Sequence, residues 1–169
     1  MILILMGVSG CGKTVIGNLL SKKLGLPFFD GDEFHPGSNI KKMESGRPLT
    51  DNDRLPWLNH IADKMEHLDE QNQGGIFACS ALKKSYRNIL RRKQETDIRF
   101  IYLKGERELI ARRLSERENH FMPAELLDSQ FNTLEEPEQA ITVSIDQSPD
   151  EIVREIINRC TNSAPGKEN

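Results

Sequence analysis

The chain has 169 residues, of which 37% are hydrophobic and 29% charged, a composition typical of a single globular domain rather than of a disordered or fibrous chain. Its 26 acidic and 23 basic residues leave a formal net charge of −3, which argues against a protein that binds nucleic acid through bulk charge. The apolar opening is far shorter than the roughly 20 residues that span a bilayer, so we expect no export signal or membrane anchor. The three cysteines lack the spacing of a zinc site or a disulfide framework, which favours a reducing, cytoplasmic setting.

The predicted elements alternate between strands and helices from the first residues onward. Residues 2–6 form a continuous apolar run that ends in glycine, as expected of a strand buried on both faces of a parallel sheet. A helix with apolar residues at helical spacing follows and ends at Gly25, and residues 26–29 predict a second buried strand. After a polar stretch, Thr50 or Asp51 can cap a long amphipathic helix.

The second half of the chain continues this alternation. Three strands are predicted, over residues 76–79, 98–103 and 141–145. Helices are predicted over residues 83–93 (strongly basic) and 106–118, and in a further piece that runs through residue 131. Ser148 and Glu151 form a capping box with proline at the first helical position, so the last helix begins there. Five strands and their connecting helices predict an α/β domain, with a mainly parallel sheet covered on both faces and a disordered tail over 161–169.

A glycine-rich loop separates the first strand from the first helix. Its residues match the phosphate-loop pattern of two glycines with four residues between them, then lysine and a hydroxyl residue: Gly7, Val8, Ser9, Gly10, Cys11, Gly12, Lys13 and Thr14. Glycines let successive amides point at phosphate oxygens, and the following helix adds its positive N-terminal end. The loop therefore predicts binding of a nucleoside triphosphate, with Lys13 neutralising the β- and γ-phosphates and Thr14 ligating Mg²⁺. Cys11 is interpreted as a small space-filling residue.

An acidic turn follows the second strand. Asp30 and Asp32 are two residues apart, so in an extended segment both would project from the carboxyl end of that strand, where ligands bind in open α/β sheets. One carboxylate can hold Mg²⁺ through water, and the other can orient or deprotonate an attacking hydroxyl. Asp-Gly-Asp is also a good turn by itself, and its place beside a phosphate loop is what favours the functional interpretation.

Several cationic and polar side chains could contact anionic ligands. They are His35 and Arg47 after the acidic turn, Lys83 and Arg87 at the start of the basic helix, and Arg113 and Arg117 before a break at His120. Taken singly, each is more typical of a solvated surface. Phosphoryl transfer, however, needs cations around the migrating group and exclusion of water, so an arginine-bearing flap suits the chemistry that the phosphate loop predicts.

These segments resemble the gluconokinases, within the P-loop small-molecule kinases that also include the shikimate and nucleoside monophosphate kinases. The resemblance is carried by the phosphate loop and by residues 30–36, 39–43, 46–58, 79–87 and 120–137. It implies a three-layer P-loop kinase fold with a five-stranded parallel sheet, formed by one domain over residues 1–160. Within that domain it implies a helical substrate-binding insertion at about 35–70 and a lid at about 112–137.

The same resemblance implies a reaction and a set of roles. The reaction is ATP-dependent phosphorylation of D-gluconate at its 6-hydroxyl, giving 6-phospho-D-gluconate and ADP. The implied catalytic residues are Lys13, Asp32 and Arg117; the loop from Gly7 to Thr14 and Arg113 would hold ATP; Asp32, His35, Arg47, Lys83 and Arg87 would contact gluconate; and Thr14 and Asp30 would hold Mg²⁺. The partners are then ATP and gluconate, with no nucleic acid or membrane, and a homodimer is expected from the frequency of dimers in the family. Glu118 and Asn119 stand where the family commonly has Lys-Gly, so position 118 is given no role.

Alternatives remain open at this point. The acceptor could be shikimate, a nucleoside monophosphate or another sugar acid. A different class is a nucleotide-dependent RNA-binding ATPase that uses the basic helix, and a third is a regulator that binds nucleotide without catalysis. Residues 146–148, after the last strand, are the predicted pocket for the base.

Overall fold

Five strands lie side by side in one sheet in a computed structural model that describes residues 1–93, 95–116 and 124–162. They are β1 (Ile2–Met6), β2 (Phe28–Asp30), β3 (Gly75–Ala78), β4 (Ile98–Lys104) and β5 (Ile141–Ser144). Their order is β2-β3-β1-β4-β5, and every neighbouring pair is parallel. All five carboxyl ends therefore meet at one edge of the sheet. The predicted five-stranded parallel sheet and α/β class are confirmed.

The connections between strands are helical. The helices are α1 (Lys13–Leu24), a 3-10 helix (Gly31–Phe34), α2 (Gly37–Glu44), α3 (Asp51–Glu70), α4 (Lys84–Leu90), α5 (Arg107–Ser115), α6 (Ala124–Thr133) and α7 (Pro149–Asn162). No helix in the described part of the chain combines the length and apolar character needed to cross a membrane. The 117–123 part of the predicted lid and the 163–169 part of the predicted tail lie outside the described residues. The other two residues of that tail continue α7.

Side-chain alternation along β1 explains why its sequence is apolar throughout. Leu3 and Leu5 pack with α1, α5 and α7, whereas Ile2 and Ile4 pack with α3 and α4 on the opposite face. Every residue of this central strand is buried, so a polar side chain at any of its positions would lose its contact with water. Helices thus cover both faces, which gives the three layers.

Two helices begin with caps formed by residues that are close in sequence. Thr50 accepts a hydrogen bond from the Asp53 amide, and the Asp53 carboxylate accepts one from the Thr50 amide, so α3 begins with a capping box. Ser148 and Glu151 make the equivalent pair before α7, as predicted. The basic helix ends at Leu90, three residues earlier than predicted. Beyond it the Arg92 guanidinium contacts carboxylates of α3, so its bonding partner is another helix rather than its own.

Candidate active site

The phosphate loop connects β1 to α1 at the carboxyl edge of the sheet. Gly7 has φ +138°, and a Cβ there would lie 2.9 Å from the main-chain oxygen of Leu103, so no other residue fits without moving β4. Gly12 precedes α1 in the left-handed region and gives that helix no side-chain cap. The first amides of α1 are therefore available to an anion, together with the positive end of the helix dipole.

Lys13 lies over the loop that precedes it. Its Nζ donates hydrogen bonds to the main-chain oxygens of Gly7 and Val8, both at 3.0 Å. This lysine borders a cavity of about 480 Å³ whose walls are the loop, the acidic turn and the end of β3. The lining residues are Ser9, Gly10, Gly12, Lys13, Thr14, Val15, Asp30, Asp32, Ala78 and Ser80.

The structure brings both aspartates of the acidic turn into that cavity, though not by the predicted geometry. β2 ends at Asp30, and Asp32 lies in the 3-10 helix rather than in an extended strand. Asp30 Oδ1 accepts a hydrogen bond from the Asp32 amide at 3.1 Å, which caps this helix. Gly31 between them is required by a close approach, because a Cβ there would lie 2.2 Å from the main-chain oxygen of Ala78.

Thr14 and Asp30 form a pair of oxygen ligands suited to a hard cation. The Thr14 hydroxyl donates to Asp30 Oδ2 at 3.2 Å, so both groups reach the same point beside the first turn of α1. Mg²⁺ prefers oxygen ligands and is commonly held by one or two protein groups together with substrate phosphates. The residues present therefore fit the metal that the loop implies.

An aromatic side chain that the sequence analysis did not single out supports the acidic turn. The Trp57 indole on α3 donates to the main-chain oxygen of Gly31 at 2.7 Å, and its ring stacks on His35 with centroids 4.3 Å apart and planes 15° apart. Burial lowers the pKa of His35, while the nearby Asp32 charge opposes this shift and Arg54 adds to it. In the sequence, the position of Trp57 on the apolar face of α3 indicates that its side chain is buried. It does not indicate that the side chain bonds Gly31 or stacks on His35.

Lys83 joins the start of α4 to the start of α3. Its Nζ donates to both carboxylate oxygens of Asp51, at 2.8 and 3.0 Å, and the Tyr86 hydroxyl donates to the same carboxylate at 2.5 Å. These hydrogen bonds hold the pKa of Asp51 below its ordinary value, with the Lys83 bond as the largest cause. Lys83 thus stands beside the predicted substrate insertion.

The remaining predicted contacts are spread over other parts of the molecule. Arg87 is buried and donates to the main-chain oxygens of Ala81 and Leu82 at 2.9 and 3.1 Å, and it lines a separate cavity of about 300 Å³ beside residues 135–139. Arg47 is exposed and donates to the Ser45 hydroxyl.

The predicted nucleotide contacts outside the loop lie near the end of β5 or beyond the described chain. Arg113 donates to the main-chain oxygen of Ile145 at 2.7 Å, which ties α5 to the end of β5. Asp146, from the predicted base pocket, lines a cavity of about 440 Å³ next to this contact. Arg117 lies outside the described residues, as do Glu118 and Asn119.

A side chain of α6 contacts the phosphate loop. The Ser9 amide donates to Gln130 Oε1 on α6 at 2.6 Å, a contact between residues 121 apart in sequence that no local pattern indicated.

Cys11 is buried, in keeping with its interpretation as a space-filling residue, and so is Cys79 at the end of β3. Burial raises the pKa of the Cys79 thiol to about 12, so this thiol is neutral and a poor nucleophile.

Known proteins share both the sequence and the fold. The shikimate kinase family model matches residues 9–161. The thermosensitive gluconokinase of Escherichia coli (strain K12) is 50% identical over 135 residues, covering 80% of this chain and 72% of the relative. The gluconokinase of Gluconobacter oxydans (strain 621H) is 44% identical over 158 residues, covering 92% of this chain and 88% of the relative. A crystal structure of a gluconokinase from Sinorhizobium meliloti 1021 has a TM-score of 0.83 and 38% identity, covering 96% of this chain and 97% of that chain. The chain therefore belongs to the gluconokinase family of P-loop kinases, which shares the shikimate kinase fold.

Proposed function

We propose that this protein transfers the γ-phosphoryl group of ATP to the 6-hydroxyl of D-gluconate, giving 6-phospho-D-gluconate and ADP. The observation that carries the proposal is the convergence of Lys13, Thr14, Asp30 and Asp32 on one cavity, in a chain with gluconokinase relatives. A phosphate-binding loop faces two carboxylates there, which are the groups that a phosphoryl donor and an alcohol acceptor require.

The donor half of the site is formed by the loop. Its amides and the start of α1 would bind the β- and γ-phosphates, and Lys13 would leave the main-chain oxygens of Gly7 and Val8 to neutralise them. Thr14 and Asp30 would hold Mg²⁺, which when bound neutralises phosphate charge. Arg113 and Arg117 are proposed as further cations on the nucleotide side, within a lid at about 112–137.

The acceptor half is formed by the acidic turn and the insertion at about 35–70. Asp32 would orient the 6-hydroxyl and receive its proton, while His35, Arg47 and Lys83 are proposed to contact the rest of gluconate. Arg87 is not among these contacts, because its guanidinium bonds the main-chain oxygens of Ala81 and Leu82 beside a separate cavity. In a largely dissociative transition state the attacking oxygen needs little activation, so the main contribution of these residues is positioning and charge stabilisation.

The proposal extends to the setting of the enzyme. We place it in the cytoplasm as an enzyme of carbohydrate metabolism that works on small molecules, without nucleic acid or membrane partners, and as a homodimer. All three cysteines are unpaired and buried, which suits a reducing compartment. Light scattering of the purified chain tests the dimer directly.

A coupled assay of ADP release tests the reaction itself. The acceptors are D-gluconate, shikimate, nucleoside monophosphates and other sugar acids, each with ATP and Mg²⁺. We expect turnover with D-gluconate to exceed that with every other acceptor, and Lys13→Met to abolish it. A faster reaction with another acceptor, or ADP release that needs no acceptor and is stimulated by RNA, would contradict the proposal.

A further inference from the structure

A buried amide within the predicted substrate insertion contacts His35. Asn39 on α2 is 3% exposed, and its Nδ2 donates to the main-chain oxygen of Asp53 at 2.8 Å. The same nitrogen lies 3.3 Å from Nδ1 of His35, four residues earlier. Asp53 is itself held by the capping box of α3 and by Lys42, whose Nζ lies 2.6 Å from the Asp53 carboxylate. The amide is therefore anchored to the start of α3.

These contacts determine which way the amide faces. A main-chain oxygen accepts hydrogen bonds and never donates, so the group that faces Asp53 must be the NH₂ of Asn39 and not its oxygen. An NH₂ group has two protons and no acceptor capacity, so the second proton points at His35 Nδ1. Nδ1 must then be the unprotonated nitrogen, and the single proton of the neutral ring lies on Nε2.

The rest of the environment leaves the ring little freedom. One face of His35 stacks on Trp57, which is 4% exposed and bonded to Gly31. In a doubly protonated ring, the Nδ1 proton would face the protons of the Asn39 NH₂ group, which disfavours the charged form. Burial also lowers the pKa of His35. The charged groups that act on the ring are Asp32 and Arg54, in opposite senses. Among the described residues, no hydrogen bond involves Nε2.

We propose that Asn39 is a positioning residue that holds His35 in the neutral tautomer with the proton on Nε2, so that His35 donates a hydrogen bond to an oxygen of the sugar acid bound beside Asp32. The second half of this proposal rests on the proposed function. His35 and Asp32 then have different roles. His35 donates a hydrogen bond to the substrate, and Asp32 accepts the proton of the acceptor hydroxyl.

Nitrogen NMR of the wild-type protein tests the tautomer without turnover. Correlations between ring protons and ring nitrogens are recorded at neutral pH, with His35→Gln used to assign the ring. We expect Nδ1 to show the shift of an unprotonated nitrogen and Nε2 that of a protonated one, with Nε2 responding to added gluconate. Protonation of Nδ1, alone or together with Nε2, would overturn the proposal.

Two matched variants test the donor. The amide NH₂ of Gln reaches about where His Nε2 lies, whereas that of Asn reaches only about as far as Nδ1. We expect His35→Asn to raise the KM for gluconate about 3- to 10-fold above that of His35→Gln, the effect of one neutral hydrogen bond, with the KM for ATP unchanged in both. Equal KM values for gluconate in the two variants would refute a donor at Nε2.

Asn39→Asp tests the positioning residue itself. A carboxylate accepts instead of donating, so Nδ1 should become protonated in the ring spectrum. An unchanged ring spectrum in a folded Asn39→Asp protein contradicts the role of Asn39. If that variant does not fold, the wild-type spectrum and the two His35 variants still decide the question. Absence of gluconate turnover by the wild type would overturn the proposed function and the donor role, but not the tautomer.

Discussion

Replacing Trp57 by Phe tests whether α3 holds the acidic turn in place. The variant keeps a ring that can stack on His35 but removes the indole donor, so the main-chain oxygen of buried Gly31 loses its partner. An unpaired buried polar group costs about 1–3 kcal/mol. A loss of about 2 kcal/mol lowers Tm by about 4–8 °C in a chain of this length.

The same contact should affect catalysis because Gly31 lies between Asp30 and Asp32. Loosening this turn misplaces both carboxylates, and a displacement of about 1 Å can cost about 100-fold in rate. We expect kcat/KM for gluconate to fall by about 10- to 100-fold.

The measurement is thermal unfolding followed by far-UV circular dichroism, since Trp57 is the single tryptophan and its fluorescence is lost in the variant. Tyr102→Phe is the control: it removes one polar atom from a buried aromatic ring, and no hydrogen bond of that hydroxyl is found within the described residues. A Tm within about 1 °C of the wild-type value, or an unchanged kcat/KM, would show that the indole does not support the turn.

Three other predictions follow from the site. Asp32→Asn should lower kcat by about 10²- to 10⁴-fold if Asp32 acts as general base, while ATP affinity measured by calorimetry is unchanged; an unchanged kcat would remove Asp32 from the mechanism. Cys79 should resist alkylation in the native protein at about pH 8 and react fully in urea, because burial raises its pKa. The pKa of His35 is lowered on folding from its ordinary value of 6.5. Between this lowered pKa and pH 6.5, the unfolded chain therefore binds more protons than the folded chain. Its contribution to stability is complete above pH 6.5 and declines as pH falls toward the lowered folded pKa, and His35→Gln should flatten this part of the unfolding free energy measured in urea.

The sequence alone was enough to recognise the resemblance to gluconokinases and to predict the fold class. The features that carry both are contiguous in sequence. The phosphate loop needs its glycines, lysine and threonine at fixed spacing, and the capping boxes of α3 and α7 each lie within four residues. The apolar run of β1 predicts a strand buried on both faces, since every one of its side chains meets a helix layer. Local chemistry decides such features, so the chain order is enough to find them.

Tertiary structure decided where the separate pieces meet. Asp32 reaches the cavity from a 3-10 helix whose start depends on Gly31 fitting against β3, and no strand periodicity contains that information. Arg87 belongs to the basic pattern of its helix, yet its guanidinium bonds main-chain oxygens beside a different cavity.

The contacts that hold the site join residues far apart in sequence. Trp57 bonds Gly31, Asn39 bonds Asp53, and Gln130 bonds Ser9. A buried polar group must find a partner wherever the fold supplies one, and the fold brings these partners from other elements. The residue types that do the chemistry were therefore visible in the sequence, but the orientation of each was set by packing between helices and the sheet.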